Sequence, residues 1–393
     1  MLLSFLSPLN SANSANSANS ANSANSANSA NSANSANGFA GLAGALSNPM
    51  LVAGLIQSTG ALGQPQATLF TQKASWLNAT TPALPLVGDQ AAYLSQRDAT
   101  TRFHLAIAEL LSGLSYAAAG SDTALVNTHS ADGKPVNLAG FTRPSIDVFK
   151  TQLELVMRRA RLRPERTPEI LSQVVPQYAY WTGIVGLHPD TTPRTIEVTY
   201  IALHFVMMVC QRLKHLLACP RPNEYSPMIQ PIILTPAYGA WPMGHATEAY
   251  MFRKIICALT GQGVASPMDE QLKLLARRIS DNRVIAGVHF PVDSVAGYVL
   301  ADVIGDYFIA RCAGRDGKAE KHAVLARAID GQQLLATADA DPTLIYEAEG
   351  PWTKTAGMAC AKAGSEIEVK PSELLIEMWK RSTAELKQNG WSL

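Results

Sequence analysis

Three cations, two histidines and one carboxylate stand along the middle of this chain at spacings that chemistry could use. Lys214 precedes Arg221-Pro222 by six intervening residues in KHLLACPRP. Pro242-Met243-Gly244-His245 follows, where a Pro- and aromatic-rich stretch opens into a helix-forming run. Arg283 then precedes His289 by five intervening residues in NRVIAGVHFPVD, and Asp293 comes four after His289. Fixed cations can neutralise the oxygens of a tetrahedral anion, and a helix start such as Gly244 offers it backbone N–H groups. Imidazoles can bond the central atom or carry protons. Taken singly, each segment has a plain reading. Lys214 and Arg221 would be solvated charges flanking a buried helix, His289 with Asp293 a capping pair, and His245 a surface residue on a capped helix. Their ordered combination is what points to an oxyanion site within 214–293.

The elements that must position these residues read as helices. Apolar spacing predicts them over 95–118, 145–163, 168–184, 195–217, 246–259, 267–286, 292–312 and 371–388. Lys214 then falls in the last turn of a long apolar helix, and Arg221 just beyond the turn at Cys219-Pro220. His289 sits before a helix started by Pro291, with Asp293 in its first turn. Alternating strands are scarce, with 231–235 and 344–347 short at best. The expectation is an all-α fold with few or no strands.

Composition narrows the function classes. Lys and Arg total 32 against 31 acids, which gives no basic face for nucleic acid or an acidic membrane. Cys210, Cys219, Cys257, Cys312 and Cys360 are scattered without a CxxC pair, which argues against a disulfide scaffold or a thiolate metal site. The run 200–210 is too short to span a bilayer, and 294–312 carries Asp302 and Asp306. No transmembrane span is expected. The N-terminus lacks the basic residues of a secretory signal, so the cytoplasm is the default, although no charge or histidine occurs before Lys73. Residues 11–37 are nine Ser-Ala-Asn triplets that can form no hydrophobic face. Residues 1–37 are therefore read as a disordered segment, and 38–393 as a single helical domain.

The pattern K-x6-R-P, P-x-G-H, R-x5-H-x3-D resembles the superfamily of type 2 phosphatidic acid phosphatases, bacterial class A acid phosphatases and vanadium-dependent haloperoxidases. The blocks occur in the family order, with 19 residues between Pro222 and Pro242 and 36 between His245 and Asn282. The resemblance implies that Lys214, Arg221, Arg283 and the Gly244 N–H hold an oxyanion. His289 would be the ligand of vanadium or the nucleophile toward phosphorus, His245 the acid–base residue, and Asp293 the group that orients His289. Lys214 would also polarise the bound peroxide. Two positions depart from the pattern. Asn282 replaces a serine, and Met243 replaces the serine of P-S-G-H, so that a hydroxyl donor gives way to a thioether.

The run RPNEYSPMIQPIILTPAYGAWPMGHAT looks like the bacterial haloperoxidase form, and so does FKTQLELVMRRARLRPERTPEILSQ upstream. The implied cofactor is vanadate. The implied partners are hydrogen peroxide, a halide (bromide or iodide rather than chloride) and a small organic substrate. Tyr238 and Gln211 are expected near the pocket. The implied fold is two packed four-helix bundles, compatible with a homo-oligomer. A soluble phosphatase with His289 as nucleophile and a non-catalytic relative disabled at Met243 both stay open.

Overall fold

The computed structural model describes Gln57, Val87 and residues 93–129, 133–174, 177–263, 266–315, 318–319, 322–332 and 362–391. The Ser-Ala-Asn segment, the boundary expected at 38 and the candidate strand at 344–347 lie outside these residues. The chain divides into two units, Met1–Thr100 and Thr101–Leu393, and the second carries every motif residue.

Helix α1 (Ala99–Ser112) leads into strands β1 (Leu114–Ala119), β2 (Thr123–His129) and β3 (Pro135–Thr142). Helices α2 (Ile146–Arg159), α3 (Arg163–Ser172), α4 (Tyr178–Val185) and α5 (Pro193–Leu217) follow. Next come α6 (Gly244–Leu259), α7 (Pro267–Ile285) and α8 (Pro291–Arg311). Strands β4 (His322–Asp330) and β5 (Lys362–Val369) and helix α9 (Glu373–Gln388) complete the unit. Most helix boundaries follow the local chemistry. Pro occupies the first turn of α3, α5, α7 and α8, where its missing N–H costs nothing. Ser145 and Ser266 cap α2 and α7 by accepting from Val148 and Asp269 N–H.

The all-α expectation is overturned. The five strands form one mixed sheet in the order β1-β2-β3-β4-β5, antiparallel except where β3 runs parallel to β4. Two packed four-helix bundles therefore do not describe the architecture. The helix expected over 95–118 stops at Ser112, and the next residue, Gly113, lies where a Cβ would collide with the Tyr307 hydroxyl of α8. LSYAAA (114–119) carries little alternation, yet pairs fully with β2, whose burial does alternate. Tertiary pairing overrides local propensity there. The helix expected over 168–184 is two, α3 and α4. Residues 231–235 form no strand; Ile232 N–H instead bonds the Ala286 carbonyl at the end of α7.

α8 is the axis of the unit. Its apolar residues are spread around the helix and nearly all are buried, and it packs against α6, α5, β3 and β4. α5 is longer than its apolar run suggested. The stretch Pro193–Tyr225 meets the length and apolarity of a membrane span; it holds the core helix, and its 18-residue apolar window is 56% buried. At the opposite end of α8 from the motifs, Asp302 and Asp306 pair with Lys254 of α6 and Arg327 of β4, tying the sheet to the helices.

α6 and α8 touch most closely at Gly297. A Cβ there would lie 2.6 Å from the Met243 carbonyl oxygen and 2.8 Å from Ala246 Cβ. Gly297→Ala should therefore force the two helices apart and cost about 1–3 kcal/mol, the range for overpacking. Urea unfolding measures this, and an unchanged midpoint would show that the contact yields freely.

Candidate functional site

The first motif is assembled where α5 ends. Ala218 takes a left-handed conformation (φ 48°) and its N–H bonds the Lys214 carbonyl, which turns the chain toward Arg221. The loop 238–240 folds back on this turn. Ala240 N–H bonds the Cys219 carbonyl, and a Cβ on Gly239 would lie 3.0 Å from the Lys214 carbonyl oxygen. That close approach needs glycine. It presents the Gly239 and Ala240 carbonyls to Lys214 Nζ at 2.8 and 2.9 Å. Arg221 Nε donates to the Tyr238 carbonyl, and its Nη1 donates to the Val288 carbonyl at 2.8 Å. The Tyr238 ring lies 5.3 Å from Lys214 Nζ and 5.2 Å from Arg221 Cζ, cation–π range for both. Gln211 hydrogen-bonds the Tyr238 side chain.

The third motif meets the first at His289. Gly287 takes φ 84°, and Arg163 clamps the loops on both sides of it, donating to the Ile229, Gln230 and Ile285 carbonyls. His289 Nε2 lies 2.9 Å from Arg221 Nη1, and its Nδ1 lies 2.8 Å from Asp293 Oδ2. A guanidinium can only donate, so Nε2 carries the lone pair and Nδ1 carries the hydrogen. Asp293 Oδ2 also accepts the Phe290 N–H that opens α8. One carboxylate oxygen thus orients the imidazole and caps the helix.

The second motif is linked through Gln173, which sequence reasoning missed. His245 Nε2 donates to the Gln173 carbonyl at 3.0 Å. The Gln173 side-chain oxygen accepts from Asn282 at 2.9 Å and from Arg283 Nη2 at 3.4 Å. Gln173 follows the end of α3, where a polar residue carries no spacing signal, and only its complete burial reveals the role. Gly244 opens α6, and the space beside its Cα is filled by Met207, 3.3 Å from where a Cβ would lie. Met243 makes no side-chain cap; it is fully buried, with Ser294 Oγ 3.6 Å from its sulfur. Its backbone N–H donates to the Asp293 carbonyl at 2.9 Å, which joins the second and third motifs.

Charge dominates the environment. Lys214, Arg221 and Arg283 are 1–2% exposed, and Asp293 is the buried carboxylate beside His289. Burial lowers Lys214 to about 8 and Arg283 to about 10, and lowers Arg221 as well. Burial lowers His245 to about 3, helped by the Arg283 charge, and holds His289 well below its ordinary value, helped by Arg221. Burial also pushes Asp293 up to about 7, against the Phe290 N–H and the Lys214 and Arg221 charges. Arg283 Nη2 reaches the Ile170 carbonyl, but its Nε and Nη1 find no partner among the described residues. Buried ions cost several kcal/mol each unless compensated, and Asp293 is the one buried carboxylate beside three buried cations, with the half-buried Glu169 acting on Arg283 and the exposed Glu224 on Arg221. An oxyanion would supply further negative charge. The residues therefore fit vanadate or a phosphoryl group, whereas the described residues hold no His/Cys/Asp/Glu cluster suited to a bare metal cation.

No protein-family model and no curated protein matches the chain. Among solved structures it is similar to the crystal structure of the first transmembrane PAP2 type phosphatidylglycerolphosphate phosphatase from Bacillus subtilis. The identity is 16% over 40% of this chain and 79% of that one, with a TM-score of 0.24. A likeness so slight establishes neither fold nor activity.

Lys214 gives the site a pH signature. Its folded-state value of about 8 lies below the ordinary 10.5, so between them the unfolded chain binds the extra proton and the anion-free protein gains stability as pH rises. Anion affinity should run the other way, falling above pH 8 as the ammonium is lost. Phosphate titrations from pH 6 to 10 should show this fall in the parent and lack it in Lys214→Met. A parallel decline in both proteins would mean that Lys214 does not face the anion.

Proposed function

We propose that this chain is a vanadium-dependent haloperoxidase that oxidises bromide or iodide with hydrogen peroxide and so halogenates a small organic substrate. The observation that carries the reading is the buried Arg283 guanidinium with unmatched donors, within electrostatic reach of an imidazole whose Nε2 holds a lone pair. The reading is supported further by the flanking sequence around Arg221 and His245.

In this reading Lys214, Arg221, Arg283 and the Gly244 N–H would hold the anion's oxygens, and His289 Nε2 would be the nitrogen that bonds vanadium, once Arg221 gave up its bond to that atom. Asp293 keeps the proton of His289 on Nδ1, so that Nε2 is always the ligating atom. Vanadate held there supplies a Lewis-acid centre that activates peroxide toward halide with no change in oxidation state. His245 is kept neutral by burial, and its Nε2–H is engaged by Gln173, so Nδ1 is the nitrogen able to take a proton from hydrogen peroxide. Tyr238 is 46% exposed and borders Lys214, so its ring would meet the halide and the organic substrate as they approach.

Vanadate titration with bromide-oxidation and phosphate-ester assays in parallel tests this. His289→Ala should lose vanadate binding and halide oxidation together. His245→Ala should keep binding and slow turnover about 10²- to 10⁴-fold. Full peroxidase activity in His289→Ala would sink the coordination, and ester hydrolysis without halide oxidation would favour the phosphatase.

Met243 gives a separate test. Met243→Ser empties buried volume beside Ser294 and should cost about 2–5 kcal/mol of stability, as comparable truncations do. A hydroxyl reaching the anion would tighten vanadate binding by about 1–2 kcal/mol. Lost stability with unchanged vanadate affinity would show that this side chain packs on Ser294 instead of facing the oxygens.

A further inference from the structure

Glu248 lies one helical turn beyond His245 on the same face of α6. That face is covered by α4: Phe252, a further turn on, stacks on Trp181 at 4.2 Å, and Tyr178 stands edge-on to both rings. Glu248 therefore lies between His245 and Phe252 along one face of α6, the first at the helix start and the second packed on α4. Its charge is felt at Tyr178, at Cys210 of α5 and at Tyr238, the exposed ring that covers Lys214 and Arg221. It makes no hydrogen bond or ion pair with any described residue, and it is only half-buried. Burial raises its carboxyl to about 7, so it gains from a cationic partner.

We propose that Glu248 is a specificity-determining residue that binds an ammonium group on the organic partner, adjacent to the oxyanion site. This rests on the oxyanion reading and deepens it. α6 delivers both ends of the recognition. Its first-turn N–H groups face negative charge, and its carboxylate one turn later faces positive charge. At 1.5 Å per residue, Gly244 and Glu248 are about 6 Å apart along the helix axis. A short amino-alkyl chain bearing an anionic or anion-bound group spans such a distance. Anionic organic molecules would meet Glu248 unfavourably, although the cations beyond it attract them.

The experiment uses 2-aminoethyl phosphate and 2-hydroxyethyl phosphate, which differ by an ammonium in place of a hydroxyl, as competitors of vanadate on the full chain. The parent should bind the amino ester about tenfold more tightly, a difference of about 1.4 kcal/mol. In Glu248→Gln that preference should vanish, while vanadate binds at least as tightly because a negative charge has been removed. Equal affinity of the parent for the two esters overturns the proposal without need of a variant. A preference that survives in Glu248→Gln overturns it as well. Failure of the parent to bind vanadate at all would overturn the oxyanion reading itself, and is seen before either ester is added.

Discussion

Three buried cations facing one histidine, with one buried carboxylate beside it, form the constraint around which the rest of the unit is arranged. Such charges are tolerated only where acceptors converge, and inside a helical protein free carbonyls exist only at helix ends and in loops. The partners follow that rule. Lys214 uses Gly239 and Ala240, Arg221 uses Tyr238 and Val288, and Arg283 uses Ile170 near the end of α3. The site therefore gathers at helix termini: the end of α5, the starts of α6 and α8, and the ends of α3 and α7. Neutral carbonyls satisfy geometry without cancelling charge, and Arg283 Nε and Nη1 stay unmatched among the described residues.

The same logic separates the site from the sheet. α8 carries Asp293 in its first turn and Asp302 and Asp306 farther along, where Lys254 and Arg327 hold it to α6 and β4. The chemistry-bearing end of α8 is fixed by close packing at Gly297 and by the bond from Met243 N–H to the Asp293 carbonyl. One end is organised by ion pairs that cancel and the other by charges that do not. The strands buttress the first end, and β3 also reaches the loop before the second motif, where Phe141 stands edge-on to Trp241.

This division explains what was legible in the sequence. Lys214, Arg221, His245, Arg283, His289 and Asp293 could be singled out because each lies at a helix end marked by Pro or Gly. The spacing of H-x3-D converts directly into a bond across one helical turn. The helices of the core were legible for the same reason, except that the one expected over 168–184 is two and the one expected over 95–118 stops at Ser112. The sheet was not. LSYAAA has no alternation of its own and continues the apolar spacing of α1, so only pairing with β2 reveals a strand. Gln173 was invisible because its task depends on α3 stopping beside α7, which no local pattern records. Gly244 was read for the N–H groups of a helix start, and it does open α6, with the end of Met207 filling the space beside its Cα.

The two histidines hold their hydrogens in complementary positions. His289 has its hydrogen on Nδ1, held by a carboxylate that burial has made avid for it. His245 has its hydrogen on Nε2, held by the Gln173 carbonyl. Each ring therefore keeps one lone pair, on Nε2 of the first and Nδ1 of the second, and burial keeps both rings neutral at ordinary pH. A pair of neutral imidazoles beside surplus positive charge offers two bases and no acid. Such a site can bond an electrophilic centre through one ring and take a proton through the other. Donating a proton would require the cations to be neutralised first. The bound anion would then be more than a ligand: its charge would set whether His245 can carry the proton it has accepted.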